Sequence, residues 1–278
     1  MEPVEVLRTL FPELDVREVR TIEDGWDSLV LEVAGEYVFR FPRRPEVQEW
    51  VEREIRLLPE LAESLLPVAV PRFELVARNG LLCVGYRKLF GTPAGVDLDK
   101  RAGEDLGRFL SALHRFPVER ARSLGVPCFE PDAWRERFDR FCGDLRQRVL
   151  PLLLRGERER AEVLFAGVAG LDFEPVLVHG DLGPEHVLCS DGRIAGVIDW
   201  SDTRVGDAAL DLAWCLNGTS GAVADALIET YGVDSRARER SLLYHRLGPW
   251  HEVVYGLDSG VHPFVRSGIE GIRRRLPG

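Results

Sequence analysis

The most constraining feature of this chain is a pair of short apolar runs, each ending in an aspartate. Val176-Leu177-Val178 leads into His179-Gly180-Asp181, and Ile194 to Ile198 leads into Asp199-Trp200. Between them lie Val187-Leu188 and Asp191-Gly192, a two-residue turn signal flanked by β-prone residues. A loop closing the first segment presents His179 and Asp181 two residues apart. A hairpin through Asp191-Gly192 then returns Asp199 to the same end, with His186 in the connection. Two carboxylates and two imidazoles converge near one cleft.

Phosphoryl transfer needs little more at its acceptor end: one carboxylate to take a hydroxyl proton, and oxygen ligands to hold magnesium on the phosphates. The same residue types also suit a hydrolase metal site. His-Gly-Asp or Ile-Asp-Trp alone often only satisfies a turn by hydrogen bonds. The ordered set, with apolar flanks on both halves, is the more specific signal.

Around this segment the chain divides in character. Residues up to about 90 read mostly as strands around one helix. Leu29–Val33 and Tyr37–Phe41 form a hairpin at Gly35, and Phe73–Ala77 and Leu81–Tyr86 form another at Asn79-Gly80. Between them Val47, Trp50, Val51, Glu54, Leu57, Leu58 and Leu61 sit near helical spacing, before Pro67 and Pro71 break the pattern. From Gly91 the balance turns helical, with amphipathic runs at Leu106–His114, Trp134–Leu145 and Glu157–Val168, and helix again after Gly206. The expected fold is α+β and bilobal: residues 1–90 a lobe with an antiparallel sheet, a hinge near 85–91, and 91–278 a mainly helical lobe. A length of 278 residues favours two such units over one.

Composition excludes several function classes. The formal net charge is −10, against the basic surface that nucleic acid requires. From Pro175 to Ser235 ten acids face two arginines and no lysine, which suits a cationic partner. Lys88 and Lys100 are the only lysines. The five cysteines form no C-x-x-C pair, so neither a disulfide framework nor a zinc site is expected. No run approaches the length of a membrane span and no basic leader precedes an apolar run, which points to a cytoplasmic protein without a membrane partner.

The string His179-Gly180-Asp181-Leu182 … His186-Val187-Leu188, then Gly196-Val197-Ile198-Asp199-Trp200-Ser201-Asp202, then Gly206-Asp207 … Leu210-Asp211-Leu212-Ala213, resembles the signature of aminoglycoside and macrolide phosphotransferases. That family is related to protein kinases. The resemblance implies a protein-kinase-like fold, ATP or GTP as phosphate donor, and Mg2+. It matches Asp181 to the catalytic base, His179 to the histidine that shapes the catalytic loop and Asp199 to the magnesium ligand. Asp207 and Asp211 match structural acids. His186 stands where many relatives have asparagine, as a metal ligand acting directly or through water.

In the first 91 residues Gly35 to Arg43 is similar to the strand that carries a phosphate-contacting lysine, with Arg40 in its place. Arginine stays charged and grips phosphate through a planar fork. Glu54 is where the helix glutamate pairing with that residue is expected, and Arg40 is equally suited to bracing the lobe on Glu54 alone. Asp24 to Ser28 resembles the loop over the phosphates, which makes Ser28 a nucleotide contact. Gly85 to Gly91 resembles the hinge, bringing Lys88 and Phe90 to the nucleotide.

Three functions fit: an antibiotic O-phosphotransferase, a kinase of the same fold acting on a metabolite hydroxyl such as a sugar or amino alcohol, and an inactive relative that binds nucleotide or a partner. Among antibiotics the segments are mixed. Phe41 to Val47, His186 and Leu257 to Gly260 look like macrolide enzymes, and Gly248 to Leu257 like aminoglycoside 2″-phosphotransferases. The acid excess ranks a cationic aminoglycoside ahead of a macrolide, with Glu185, Asp202, Glu252 and Asp258 expected to line the acceptor cleft, the last two near helical spacing on one predicted helix.

Overall fold

A computed structural model describes residues 3–24, 27–64, 66–78, 82–95 and 98–278. The Asn79-Gly80 turn, and Gly25 and Trp26 of the expected phosphate loop, lie outside the described residues. The chain opens with α1 (Pro3–Leu10), followed by β1 (Val19–Asp24), β2 (Ser28–Val33) and β3 (Tyr37–Pro42). Next come α2 (Pro45–Glu63), β4 (Phe73–Arg78) and β5 (Leu82–Arg87). The strands form one antiparallel sheet in the order β1-β2-β3-β5-β4.

Strand alternation divides this sheet into two faces. Phe39 and Phe41 point to one side and join Leu7 and Phe11 from α1 and its exit, with Leu31, Val33 and Cys83. On the opposite face Val84 packs with Val51 of α2. Arg40, between the two phenylalanines and paired in register with Val84, falls on the α2 side. Sequence periodicity missed α1 and β1. The first has only eight residues, and the second, Val-Arg-Thr-Ile-Glu-Asp, is a polar edge strand without a clean alternation.

Beyond the sheet, β6 (Thr92–Pro93) crosses into α3 (Lys100–Leu113), whose first amides are capped by the Asp99 side chain. Helices α4 (Val118–Ser123), α5 (Pro131–Arg148) and α6 (Arg155–Ala166) follow. The central strands are β7 (Val176–Val178), β8 (Val187–Ser190), β9 (Arg193–Val197) and β10 (Arg204–Gly206). β8 and β9 form the expected hairpin, which β6 joins, while β10 pairs with β7. The chain ends in α7 (Ala209–Asn217), α8 (Gly221–Tyr231), α9 (Ser235–Ser259) and α10 (His262–Arg275). Among the described residues no helix is long and apolar enough to cross a membrane.

One buried carboxylate ties three of these elements together. Asp207, between β10 and α7, has no exposed surface. It accepts hydrogen bonds from Arg240 Nε at 2.7 Å and Nη2 at 3.1 Å, from Tyr244 Oη at 3.0 Å and from the Ala209 amide at 3.0 Å. Tyr244 Oη in turn accepts from Trp134 Nε1 of α5 at 2.8 Å. Deleting the carboxylate strands a largely buried guanidinium and a phenol. Asp207→Ala is therefore expected to destabilise the protein by about 3–5 kcal/mol in urea denaturation, and a loss under about 1 kcal/mol, the level of an exposed pair, would contradict this role.

Candidate functional site

The loop after β7 is fixed from beneath. Asp211, on the first turn of α7 and fully buried, accepts the amide N–H groups of His179 at 2.8 Å and Gly180 at 2.9 Å, and His114 Nε2–H at 3.2 Å. Burial alone would push this carboxyl up. The His114 hydrogen bond and charge, His179 and the Gly180 amide outweigh it, so the carboxyl sits below its ordinary value and is ionised. His114 Nδ1 lies 2.7 Å from the Tyr231 hydroxyl, which extends the network to α8.

His179 has no exposed surface, and its Nε2–H donates to the Ile198 carbonyl at 3.0 Å. Nδ1 is left as the acceptor for the Asp181 amide at 3.3 Å. Burial holds the imidazole below its ordinary value, which agrees with this neutral tautomer. Gly180 has φ +89°, and a Cβ there would lie 2.4 Å from the Asp202 carbonyl oxygen. Only glycine serves at this crossing of two loops.

These constraints leave the Asp181 side chain projecting into the cleft, 61% exposed. His186 bridges it to Asp199. Its Nδ1–H donates to the Asp181 carbonyl at 2.7 Å and lies 3.5 Å from Asp181 Oδ2, while Nε2 is 3.6 Å from Asp199 Oδ2. Burial opposes charge on this imidazole, but Asp199, the Asp181 carbonyl and the Asp181 carboxylate raise its pKa on balance. Asp199 takes φ +60°, a strained conformation for a residue with a Cβ. Its Oδ1 accepts the Ser201 hydroxyl at 2.8 Å. Against burial, Arg40, His186 and Ser201 hold the Asp199 carboxyl low. Asp181 is raised instead, first by the protein crowded around it and then by Asp202 and Asp199, with His186 and His179 opposing.

Arg40 reaches this cluster from β3. Its Nη1 donates to both oxygens of the buried Glu54, at 3.0 and 2.8 Å. Burial pushes the Glu54 carboxyl up and Arg40 pulls it back. Because one nitrogen satisfies both oxygens, Nε and Nη2 of Arg40 have no acceptor among the described residues. Bracing the lobe and gripping a second anion are thus compatible. For a metal, Asp199 offers oxygen and His186 offers Nε2. Among the described residues no group of three or more His, Cys, Asp or Glu is arranged to hold a metal. The Asp199 carboxylate fits magnesium, which prefers oxygen, keeps several waters and takes other ligands from substrate phosphates, and the His186 imidazole suits it better through one of those waters.

Several expected residues are placed differently. The Lys88 ammonium pairs with Glu32 on β2, because the hinge strand turns that side chain along the sheet towards the nearest acid. The Phe90 ring is 79% exposed. Ser28 Oγ is buried without a hydrogen-bond partner at the start of β2. In the supposed acceptor lining, Asp258 pairs with Arg148 of α5, and Glu252 accepts the Ser267 hydroxyl of α10 at 2.5 Å. Six residues along a helix turn about 240°, so the two acids serve different neighbours and share no face. Asp202 pairs with Arg204, and the exposed Glu185 carboxylate folds over Gly183. Asp207, Asp211 and the α9 cap Asp234 are also bound within the fold, so the acid excess overstates the negative charge offered to a ligand. Sequence reading missed Arg53, whose Nη2 donates to the Ser201 carbonyl at 2.6 Å. Its position next to Glu54 was the available signal.

Comparison with known proteins agrees with this geometry. The family model described as the phosphotransferase enzyme family, APH, matches residues 18–244. Viomycin phosphotransferase of Streptomyces vinaceus is 41% identical over 150 residues, 51% of this chain and 52% of that protein. A homoserine kinase of Gluconacetobacter diazotrophicus is 34% identical over 158 residues, 51% of this chain and 46% of that one. The chain thus spans about half the length of these curated relatives. Over nearly the whole fold it superposes on the GDP and kanamycin complex of APH(2″)-IIIa, with TM-score 0.87, 25% identity and coverage of 98% and 97%. It also superposes on the macrolide 2′-phosphotransferase MphH of Brachybacterium faecium, with TM-score 0.77, 26% identity and coverage of 98% of each chain. The sheet-and-helix architecture is the bilobal protein-kinase-like fold of these enzymes, and the chain belongs to the phosphotransferase enzyme family.

Proposed function

We propose that this protein is an antibiotic O-phosphotransferase that moves the γ-phosphoryl group of ATP or GTP to a hydroxyl of an aminoglycoside. The observation that carries this reading is the Asp181–His186–Asp199 arrangement, an exposed carboxylate bridged by an imidazole to a low-pKa carboxylate and facing Arg40 across the cleft. In this reading the nucleotide lies between residues 1–90 and 91–278, with its base at the hinge near 85–91. The nitrogens of Arg40 not used by Glu54 face its phosphates. Magnesium, held by Asp199 and by His186 directly or through water, would supply charge neutralisation to those phosphates.

The chain's own contribution is positional and acid–base. Asp181 accepts the hydroxyl proton as the acceptor oxygen bonds to phosphorus and the bond from phosphorus to the leaving diphosphate breaks. His179, neutral and buried, holds the Asp181 amide and so aims the carboxylate. A cytoplasmic setting supplies the nucleoside triphosphate. The aminoglycoside ranking draws support from the kanamycin complex of the superposed enzyme, and the broader antibiotic reading from the similarity to a viomycin phosphotransferase. The pairing of Asp202 and Asp258 with arginines favours a less cationic acceptor, and a macrolide is the second reading.

The direct test is incubation with ATP or GTP, magnesium and a panel of aminoglycosides, macrolides and hydroxylated amino acids, read by mass spectrometry. Addition of one phosphate to an aminoglycoside is expected. Turnover of macrolides alone would overturn the ranking, and turnover of none, with the nucleotide bound, would overturn the antibiotic reading.

The pH dependence has a definite sign. Asp181 must be ionised to accept the proton, so kcat falls as pH drops through its raised pKa. Asp202 contributes to that rise, so Asp202→Asn removes a negative charge, favours ionised Asp181 and lowers its pKa. At saturating acceptor the acid limb of kcat should move to lower pH. A limb that stays in place or moves up would show that Asp181 is not the group titrating.

A further inference from the structure

Next to the turn that follows Asp199, and walled in part by Asp202 and Arg204, lies a cleft of about 160 Å³. Its wall comes from three parts of the chain: Trp50 and Arg53 of α2, Phe129 and Arg137 at and beyond the start of α5, and the turn from Ser201 to Arg204. Three guanidinium groups line it against one carboxylate, Asp202. In a chain of net charge −10 this local excess of positive charge is unexpected.

The arginines are incompletely satisfied. Arg204 donates through Nε to the Asp202 carbonyl at 2.7 Å and through Nη2 to the Asp202 carboxylate. Arg53 makes one hydrogen bond, to the Ser201 carbonyl. Arg137 lies over the Phe129 ring at 5.7 Å, and among the described residues neither it nor Arg53 has a carboxylate within ion-pair range. Each guanidinium carries five N–H donors in a planar fork, so most of the donor capacity here is unused. Thr203, also in the wall, is 1% exposed, and its Oγ1 has no hydrogen-bond partner. The protein packed around Arg53 and Arg137 depresses the pKa of both; at Arg53 the Glu54 charge opposes this, and at both Arg204 adds to the depression while Asp202 offsets part of it.

We infer that this cleft binds a small oxyanion, held by Arg53, Arg137 and Arg204. Arginine forks match phosphate and carboxylate geometry, and charge-assisted bonds of this kind are the strong ones. The volume admits one such group with water and falls below that of a drug-sized ligand site. The location gives the site a consequence. The Asp202 carbonyl packs on Gly180, one residue before Asp181, and Arg53 precedes Glu54 on α2. A bound oxyanion would clamp α2 to the turn that follows Asp199 and draw Arg204 from Asp202. Two sources share this chemistry: a free phosphate-like ion, or a carboxylate on an acceptor outside the aminoglycosides and macrolides, which carry none. The inference does not depend on which antibiotic is modified.

The test uses the full chain saturated with magnesium and a non-hydrolysable ATP analogue, so that all three nucleotide phosphate positions are filled. Potassium phosphate is titrated against potassium chloride of matched ionic strength, and Tm is recorded. Phosphate should give a saturable rise that chloride does not. Arg137→Ala, which removes a side chain with no hydrogen bond to the fold, should weaken phosphate by about tenfold and leave nucleotide affinity unchanged. Arg137→Lys should recover part of the loss. Phosphate that raises the acceptor KM without changing kcat assigns the site to an acceptor carboxylate, and phosphate that changes kcat at saturating acceptor assigns it to a free ion. Equal Tm shifts in phosphate and chloride, or equal phosphate affinity in wild type and Arg137→Ala, would overturn the inference.

Discussion

The geometry of the site rests on a carboxylate that never meets water. Asp211 receives two consecutive backbone N–H groups, those of His179 and Gly180, and a third hydrogen bond from His114. A buried carboxylate is costly unless its lone pairs are filled by donors, and here the donors belong to the loop that must be held. Solvating the charge and positioning the loop are the same interaction. Once the His179 amide is fixed, its ring is committed to the Ile198 carbonyl, immediately before Asp199. The two aspartate-bearing loops are thereby locked together by a side chain that does not touch the cleft.

Among the described residues, Arg40, Arg53 and Ala69 couple the sheet lobe to this assembly. Arg40 holds Glu54, and its charge helps keep the Asp199 carboxyl ionised. Arg53 donates to the Ser201 carbonyl beyond Asp199. Ala69, in the segment after α2, exchanges backbone hydrogen bonds with Ala195 and Val197 of β9 at 3.0 and 2.9 Å. Each contact bears on the strand or turn that sets Asp199. Its left-handed backbone can persist because the surroundings over-determine it, and strain at that position is consistent with a role in binding.

The fold was legible where local signals agree with tertiary ones. The Asp191-Gly192 hairpin, the apolar spacing of α2 and the helical run after Gly206 all read directly from residue order. The convergence of Asp181, His186 and Asp199 followed from one hairpin and two loops. What escaped was what only packing decides. His114 read as one more position on an amphipathic face, yet it donates to Asp211 across 97 residues of sequence. The count of ten acids against two bases was correct, but charge in a sequence carries no label for its partner. Arg240, outside the window counted, neutralises Asp207, one of the ten acids, and beyond the window Arg148 neutralises Asp258. Glu252 and Asp258 share a helix but face different neighbours, because six residues do not complete a whole number of turns.

We propose Asp181 as the base, aimed by the network beneath it. Rapid-quench single turnover of Asp181→Asn, alongside calorimetric nucleotide binding, separates chemistry from binding and folding. Phosphoryl transfer is expected to slow by about 10²- to 10⁴-fold with nucleotide affinity and thermal stability preserved. Transfer at close to the wild-type rate, with the variant folded and the nucleotide bound, would contradict it.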